Sequence, residues 1–414
     1  MNILLLVHRI PYPPDKGDKI RSWRLLEHLL LQGHQVHLGA FVDDPQDFAH
    51  EAMLRERCAG LMLRALDPRR RKLASARGLL DGRALSLPYY ADRSMQAWVD
   101  RTIAEARIDQ VIVFSSTMAQ FVDKPRHARL PRVVDFVDVD SRKWLQYAER
   151  HRGPLAWVYR REAARLLSYE RQVARQVDVS LFVSPEEAAL FRTLAPESAA
   201  RVDWYGNGVD TAYFDPAAAG GTPYPPGGPV LVFTGAMDYW ANEDAVTWFA
   251  AQVLPRLQAT RPELRFWIVG SKPGPKVQAL QQLPQVHVTG RVPDVRPYLA
   301  HAAVAVAPLR VARGIQNKVL EAMAMARPLA CTVAAAEGLD LPDGVPWLSV
   351  QDEPAEQADA ILGLLGSPAA PQAREWVRAR FSWPARLTRL QEAVDRVCGS
   401  PESTTRPPAG YARG

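Results

Sequence analysis

Residues 3–7, "ILLLV", form an unbroken apolar run of strand length, the pattern of a parallel strand covered on both faces. The stretch "SWRLLEHLLLQG" (22–33) follows, with Trp23, Leu26, Leu29 and Leu30 on one helical face and Gly33 as the stop. "HQVHLGAF" reads as the next strand, and "QVIVFSS" (110–116), "RVVDFVD" (132–138) and "DVSLFVS" (178–184) as further ones. Alternation of this kind implies a parallel sheet with helices on both sides. The pattern restarts after "TPYPPGGP" (222–229), a Pro/Gly-rich connector of the sort that separates domains. It continues through "VLVFTG" (230–235), the helix "NEDAVTWFAAQVLPRL" (242–257), "RFWIVG" (265–270), "VHVTG" (286–290), "AVAVAPL" (303–309), a helix over 315–326 and "PLACTV" (328–333). The expected architecture is α/β, with two doubly wound domains at 1–205 and 229–380. A linker spans 206–228, a C-terminal helix at 381–398 packs back toward the first domain, and 399–414 reads as a disordered tail.

Composition limits the setting. The chain has 414 residues, 47% hydrophobic and 23% charged, ordinary for a globular protein. Cys58, Cys331 and Cys398 are odd in number and far apart, which suits a reducing compartment and gives no zinc spacing. The N-terminal apolar run is too short for a signal or a membrane span, and no later run reaches the ~18 residues a span needs. A cytoplasmic location is expected. Residues 1–210 hold 32 Lys+Arg against 27 Asp+Glu, whereas the remainder holds 19 against 18. The excess lies in "RRRK" (69–72) and in the arginines of 150–175. It reads either as a solvated face or as attraction to an anionic membrane surface or a phosphate-bearing substrate. Nucleic-acid binding is not expected, because no recognition motif accompanies the basic residues.

Doubly wound sheets bind ligands outside the carboxyl ends of their strands, and two such domains would place the site in the cleft between them. The sharpest strand-to-helix junction of the second half is "RGIQNKVLEAMAMARP" (313–328). Its Gly314 permits a close turn, and the N–H groups of Gly314, Ile315 and Gln316 at a helix start favour a phosphate. Lys318 adds a charge-assisted contact. Glu321 is about two turns in, roughly 10 Å along the axis at ~1.5 Å per residue. A carboxylate there can accept both hydroxyls of a ribose; an exposed or ion-paired glutamate is the plain alternative.

"GIQNKVLEAMAMARP" resembles the signature of glycosyltransferase family 4. "GNGVD" (206–210), "PPDKGDKIR" (13–21), "GHQV" (33–36), "VSPEEAALF" (183–191) and "VTGRVPDVRPYLAHAAVAVAPL" (288–309) are similar to other segments of that family, in order and over nearly the whole chain. "FTGAMDYWANEDAVTWF" together with "RGIQNKVLEAMAM" looks most like a bacterial subgroup associated with exopolysaccharide and exosortase (PEP-CTERM) systems. The resemblance implies a GT-B fold of two Rossmann-like domains facing across a cleft, a nucleotide-sugar donor on the C-terminal domain, an acceptor on the N-terminal one, retention of configuration, and no metal or other cofactor. By position it gives Glu321 to the donor ribose, Gly314 to the diphosphate and Gly17 to the loop near donor phosphate and acceptor. Gly235 stands at the donor-side turn. Lys16, Asp18, Lys19 and Asp138 fall on the acceptor side.

The chain departs from the family where a second glutamate usually contacts the donor sugar: Arg313 stands there, and Gln316 replaces a second glycine. Gln316 or Asn317 is then the candidate for the sugar hydroxyls. Met237 and Asp238 follow Gly235 where an arginine is common, so Lys318, Arg313 or Arg291 must supply positive charge. Asp138-Val139-Asp140 is a D-x-D triplet, which would hold a metal in a different transferase architecture; here an acceptor-side or structural role is expected. The reading is a glycosyltransferase acting on a glycan or polyprenyl-diphosphate-linked acceptor, in the cytoplasm or on the inner face of the plasma membrane. The alternatives are a catalytically silent nucleotide-binding partner and a nucleotide-sugar epimerase of the same fold.

Overall fold

The computed structural model describes residues 1–14, 16–75, 77–312 and 315–399. The chain divides into two compact units, Met1–Gly206 with Arg386–Gly414, and Asn207–Ala385. The first is built on a seven-stranded parallel sheet of β1 (Asn2–Val7), β2 (Gln35–Val42), β3 (Gly60–Ala65), β4 (Gln110–Phe114), β5 (Arg132–Val137), β6 (Val179–Phe182) and β7 (Val202–Trp204), ordered β3-β2-β1-β4-β5-β6-β7. The second has six parallel strands, β8 (Val230–Thr234), β9 (Arg265–Val269), β10 (Val286–Gly290), β11 (Val304–Ala307), β12 (Leu329–Cys331) and β13 (Leu348–Val350), ordered β10-β9-β8-β11-β12-β13. Both sheets are doubly wound, with the reversal of strand order falling between β1 and β4 in one and between β8 and β11 in the other. Those reversals open the crevices in which such sheets take ligands.

The apolar runs form the strands because both faces are covered: every residue of β4, β8 and β11 is buried. The strands that sequence patterning missed are β3, β7 and β13. β3 is half-buried over most of its length, and the other two span three residues each, too little for a period to register. The expected helix 242–257 is two helices, Trp240–Gln252 and Leu254–Thr260. Pro255 stands in the first turn of the second, where its missing N–H costs nothing; inside one continuous helix it would break the hydrogen-bond ladder. The helix expected over 315–326 runs from Asn317 to Ala324.

Residues 207–228 are packed onto the second unit. Phe214, Ala219 and Tyr224 are buried in its core. The Tyr224 hydroxyl donates to the Tyr298 carbonyl at 2.6 Å, and Arg265 donates to the carbonyls of Pro225 and Gly228 at 2.7 Å. The Trp383–Gly399 helix brings the chain into the first unit from Arg386 onward. There Leu390, Ala393 and Val394 are buried, and Arg396 pairs with Asp203 at 2.7 Å. The tail beyond Gly399 lies outside the described residues. Cys58 and Cys331 are buried free thiols, which burial pushes up to about 11 and about 12.

Candidate functional site

In the second unit the two strands that flank the reversal, β8 and β11, feed one group of side chains. β8 ends at Thr234, and Gly235 turns the chain toward the Trp240–Gln252 helix. A side chain at Gly235 would start 2.8 Å from the Asn242 amide nitrogen. The neighbouring strand end is equally close: a Cβ on Gly270 would lie 1.7 Å from the Gly235 carbonyl oxygen. Asn242, 5% exposed, donates from Nδ2 to the Ala236 carbonyl at 2.8 Å and accepts at Oδ1 from Lys318 Nζ at 2.6 Å. Lys318 comes from the other side of the crevice, on the Asn317–Ala324 helix that follows β11. Its ammonium also stands 4.9 Å from the centre of the Phe233 ring.

Glu321 is one turn further along the same helix. Burial lowers Lys318 to about 8, with Glu321 pulling the other way. Burial raises Glu321 to about 7, with Lys318 opposing. The ammonium has a neutral amide oxygen as its hydrogen-bond acceptor and three N–H groups to offer. It is desolvated and under-compensated, the condition in which an anion binds most strongly. Among the described residues, the side chain of the N-cap residue Gln316 does not cap this helix, in contrast to Pro185–Leu194, where the Ser184 hydroxyl accepts from Glu187 N at 3.2 Å.

The residues nominated from sequence fall into four groups here. Gly235, Lys318 and Glu321 are brought together. Ile315 and Gln316 lead into the helix half-buried, and Asn317, its first residue, is exposed. Arg291 is exposed, and among the described residues its guanidinium has no partner. Arg313 and Gly314 lie outside the described residues. Sequence reasoning missed Asn242. Its only signal was position, one turn into the helix that opens after a strand-end glycine. Three other cations nearby are matched: Arg310 to Asp244 (3.0 Å), Lys276 to Glu243 (3.2 Å) and Lys272 to Asp238 (3.1 Å).

In the first unit, Lys16 is the N-cap of the Gly17–Leu31 helix and Gly17 its first residue, with open space where a Cβ would stand. Asp18 takes an ion pair from Arg9 and a contact from His8 Nε2 at 3.2 Å. Those partners hold its carboxyl at about 2, against the opposing effect of burial. Lys19 is 1% exposed and paired with Asp47 at 2.9 Å, so its charge is used inside the fold. Asp138 and Asp140 share the Lys143 ammonium at 2.7 and 3.1 Å. A cation is thus already in place between the two carboxylates of the triplet.

Residues 228–367 match the family model described as glycosyl transferases group 1. No curated protein matches the chain. Sucrose-phosphate synthase (tll1590) from Thermosynechococcus elongatus is similar with a TM-score of 0.63 at 18% identity, over 96% of this chain and 99% of that one. Anabaena Alr3699/HepE in complex with UDP-glucose gives 0.59 at 15%, over 95% and 99%. WaaG, a glycosyltransferase involved in lipopolysaccharide biosynthesis, gives 0.58 at 15%, over 97% and 100%. The fold is GT-B. Lys318, Glu321, Gly235 and Asn242 all lie within the stretch that matches the glycosyl transferases group 1 model, and that family match, on this fold, supports a transferase.

Proposed function

We propose that the protein transfers a sugar from a nucleotide-sugar donor to a glycan or polyprenyl-diphosphate-linked acceptor, with retention of configuration, in the assembly of an exopolysaccharide at the inner face of the plasma membrane. The observation that carries the reading is the desolvated Lys318 at the β8–β11 reversal, with Glu321 one turn behind it. The donor's diphosphate would lie at the start of the Asn317–Ala324 helix, beside the Lys318 ammonium. Its ribose diol would donate to Glu321, whose carboxylate burial makes less favourable until such donors arrive. Breaking the sugar–phosphate bond develops negative charge on the leaving diphosphate. Lys318 and the helix N-terminus stabilise that charge without a metal. The acceptor hydroxyl attacks the anomeric carbon on the face the diphosphate leaves, and the departing phosphate oxygen takes its proton. Asn242 acts as a positioning residue that holds the ammonium toward the turn.

One neighbour, Anabaena Alr3699/HepE, is described in complexes with UDP and with UDP-glucose, so these are the first probes. Incubation of the full chain with UDP-sugars and a lipid-linked acceptor, read by mass spectrometry, should give a heavier acceptor and free nucleoside diphosphate. A donor changed alone would indicate epimerisation, and no change in either would indicate a silent partner. Activity should persist in EDTA. Loss restored by manganese or magnesium would promote Asp138 and Asp140 to ligands.

A further inference from the structure

We propose that the turn between the Asp140–Arg150 and Pro154–Gln176 helices inserts into the surface of an anionic lipid bilayer. The inference rests on the lipid-linked acceptor proposed above and names the part of the first unit that meets the membrane. Three large apolar side chains stand in solvent on either side of this one turn: Tyr147 is 48% exposed, Leu155 45% and Trp157 60%. Behind them the two helices are locked by rings, Trp144 against Tyr159 at 5.5 Å and Tyr147 against Tyr159 at 6.1 Å. The exposed groups are therefore carried on a stiff hairpin.

Charge decides the occupant. Residues 142–165 hold seven Lys and Arg against two Asp and Glu, and among the described residues only Lys143 of the seven is matched by acids outside that span, Asp138 and Asp140. One of the two acids within it, Glu162, is buried, accepting from Leu85 N at 2.5 Å and from the Ser86 hydroxyl at 2.6 Å. Among the described residues the exposed guanidinium groups of Arg152, Arg160 and Arg165 have no partner. Aromatic and leucine side chains beside unpaired arginines match the apolar and anionic layers of a membrane interface. In the basic run 69–72, Arg71 is committed within the fold. Arg71 donates to the Ala91 carbonyl and pairs with Asp92 at 2.9 Å, while the side chains of Arg70 and Lys72 lie outside the described residues. The run's neighbourhood still joins the hairpin, since Arg161 donates to the Gly78 and Arg83 carbonyls at 2.6 and 3.1 Å and Leu79 is 42% exposed.

The test is flotation of the full chain with vesicles of phosphatidylcholine alone and of phosphatidylcholine mixed with phosphatidylglycerol, at low and high salt. Binding should require phosphatidylglycerol and weaken with salt. An interfacial arginine contributes about fivefold, so replacing Arg152, Arg160 and Arg165 together by Gln should weaken binding on the order of a hundredfold. Brominated lipids should quench fluorescence in the wild type and quench less in Trp157→Phe, which still floats. No flotation at low salt, flotation of the triple variant like wild type, or equal quenching in Trp157→Phe would each overturn the inference; an acidic protein partner would give the first of these. UDP affinity of every variant should equal wild type. UDP binding without vesicle binding would sink the membrane inference alone, and vesicle binding with no binding of uridine, adenosine, guanosine or cytidine diphosphate would sink the transfer reading alone.

Discussion

At the first sheet, the cations of the Gly17–Leu31 helix are answered inside the protein. Lys19 meets Asp47 at 2.9 Å, and Arg21 meets Asp135 at 2.8 Å with its guanidinium 3.6 Å from the centre of the Tyr205 ring. At the second sheet, Lys318 meets the neutral amide of Asn242, and both it and Glu321 are pushed toward neutrality by burial. A buried charge matched by a carboxylate belongs to the fold. A desolvated charge whose hydrogen-bond acceptor is a neutral dipole costs stability, and is retained where a ligand completes it.

The largest expected effect comes from breaking the matched side. Asp135→Ala leaves the buried Arg21 guanidinium without its carboxylate and should cost about 3–5 kcal/mol of stability, read by urea unfolding. Lys318→Met should do the reverse, leaving stability unchanged or raised while lowering nucleoside diphosphate affinity. Loss of a charged hydrogen bond is worth about 1.5–3 kcal/mol, roughly ten- to a hundredfold. Glu321→Ala should weaken nucleoside diphosphates by a similar factor. If Lys318→Met unfolds the protein as readily as Asp135→Ala, the contrast between the two sheets is wrong.

Most of the fold was legible because the buried parallel strands are unbroken apolar runs and the strand-end glycines mark their turns. β7 and β13 were not, since three residues carry no period. On the site, helix spacing in "GIQNKVLEAMA" left Glu321 open between a ribose contact and a plain surface or ion-paired role, and the resemblance to glycosyltransferase family 4 is what singled it out. Asn242 was invisible because its role depends on a partner 76 residues away. Lys19 looked available in sequence, and only the fold reveals the Asp47 that occupies it.

The first unit contains one carboxyl that sharpens the comparison. Glu170 accepts from the Ser141 hydroxyl at 2.5 Å, and burial raises it to about 8. Its folded value lies above the ordinary one, so the native state holds the extra proton between about pH 4.5 and 8. Stability should therefore fall as pH rises through that window, by at most about 1.4 kcal/mol per pH unit. Glu170→Gln should flatten the fall in unfolding free energy without altering nucleotide binding. The smallest effect is expected for Asn242→Ala. It removes one hydrogen bond to Lys318, worth about 0.5–1.5 kcal/mol, and should weaken nucleoside diphosphates only severalfold.

The most direct test is calorimetric titration of nucleoside diphosphates into wild type and Lys318→Met from below pH 7 to above pH 8, in buffers of different ionisation enthalpy. Lys318 titrates near 8 when free, and a bound diphosphate favours its charged form. Wild type should take up a proton on binding near pH 8 and lose affinity above it, with a second loss below about 7 as Glu321 is neutralised. Lys318→Met should bind more weakly and show no uptake near pH 8. Equal affinities for the two proteins, or a wild-type affinity that stays flat through pH 8 with no proton taken up, would contradict the assignment of Lys318 to the diphosphate.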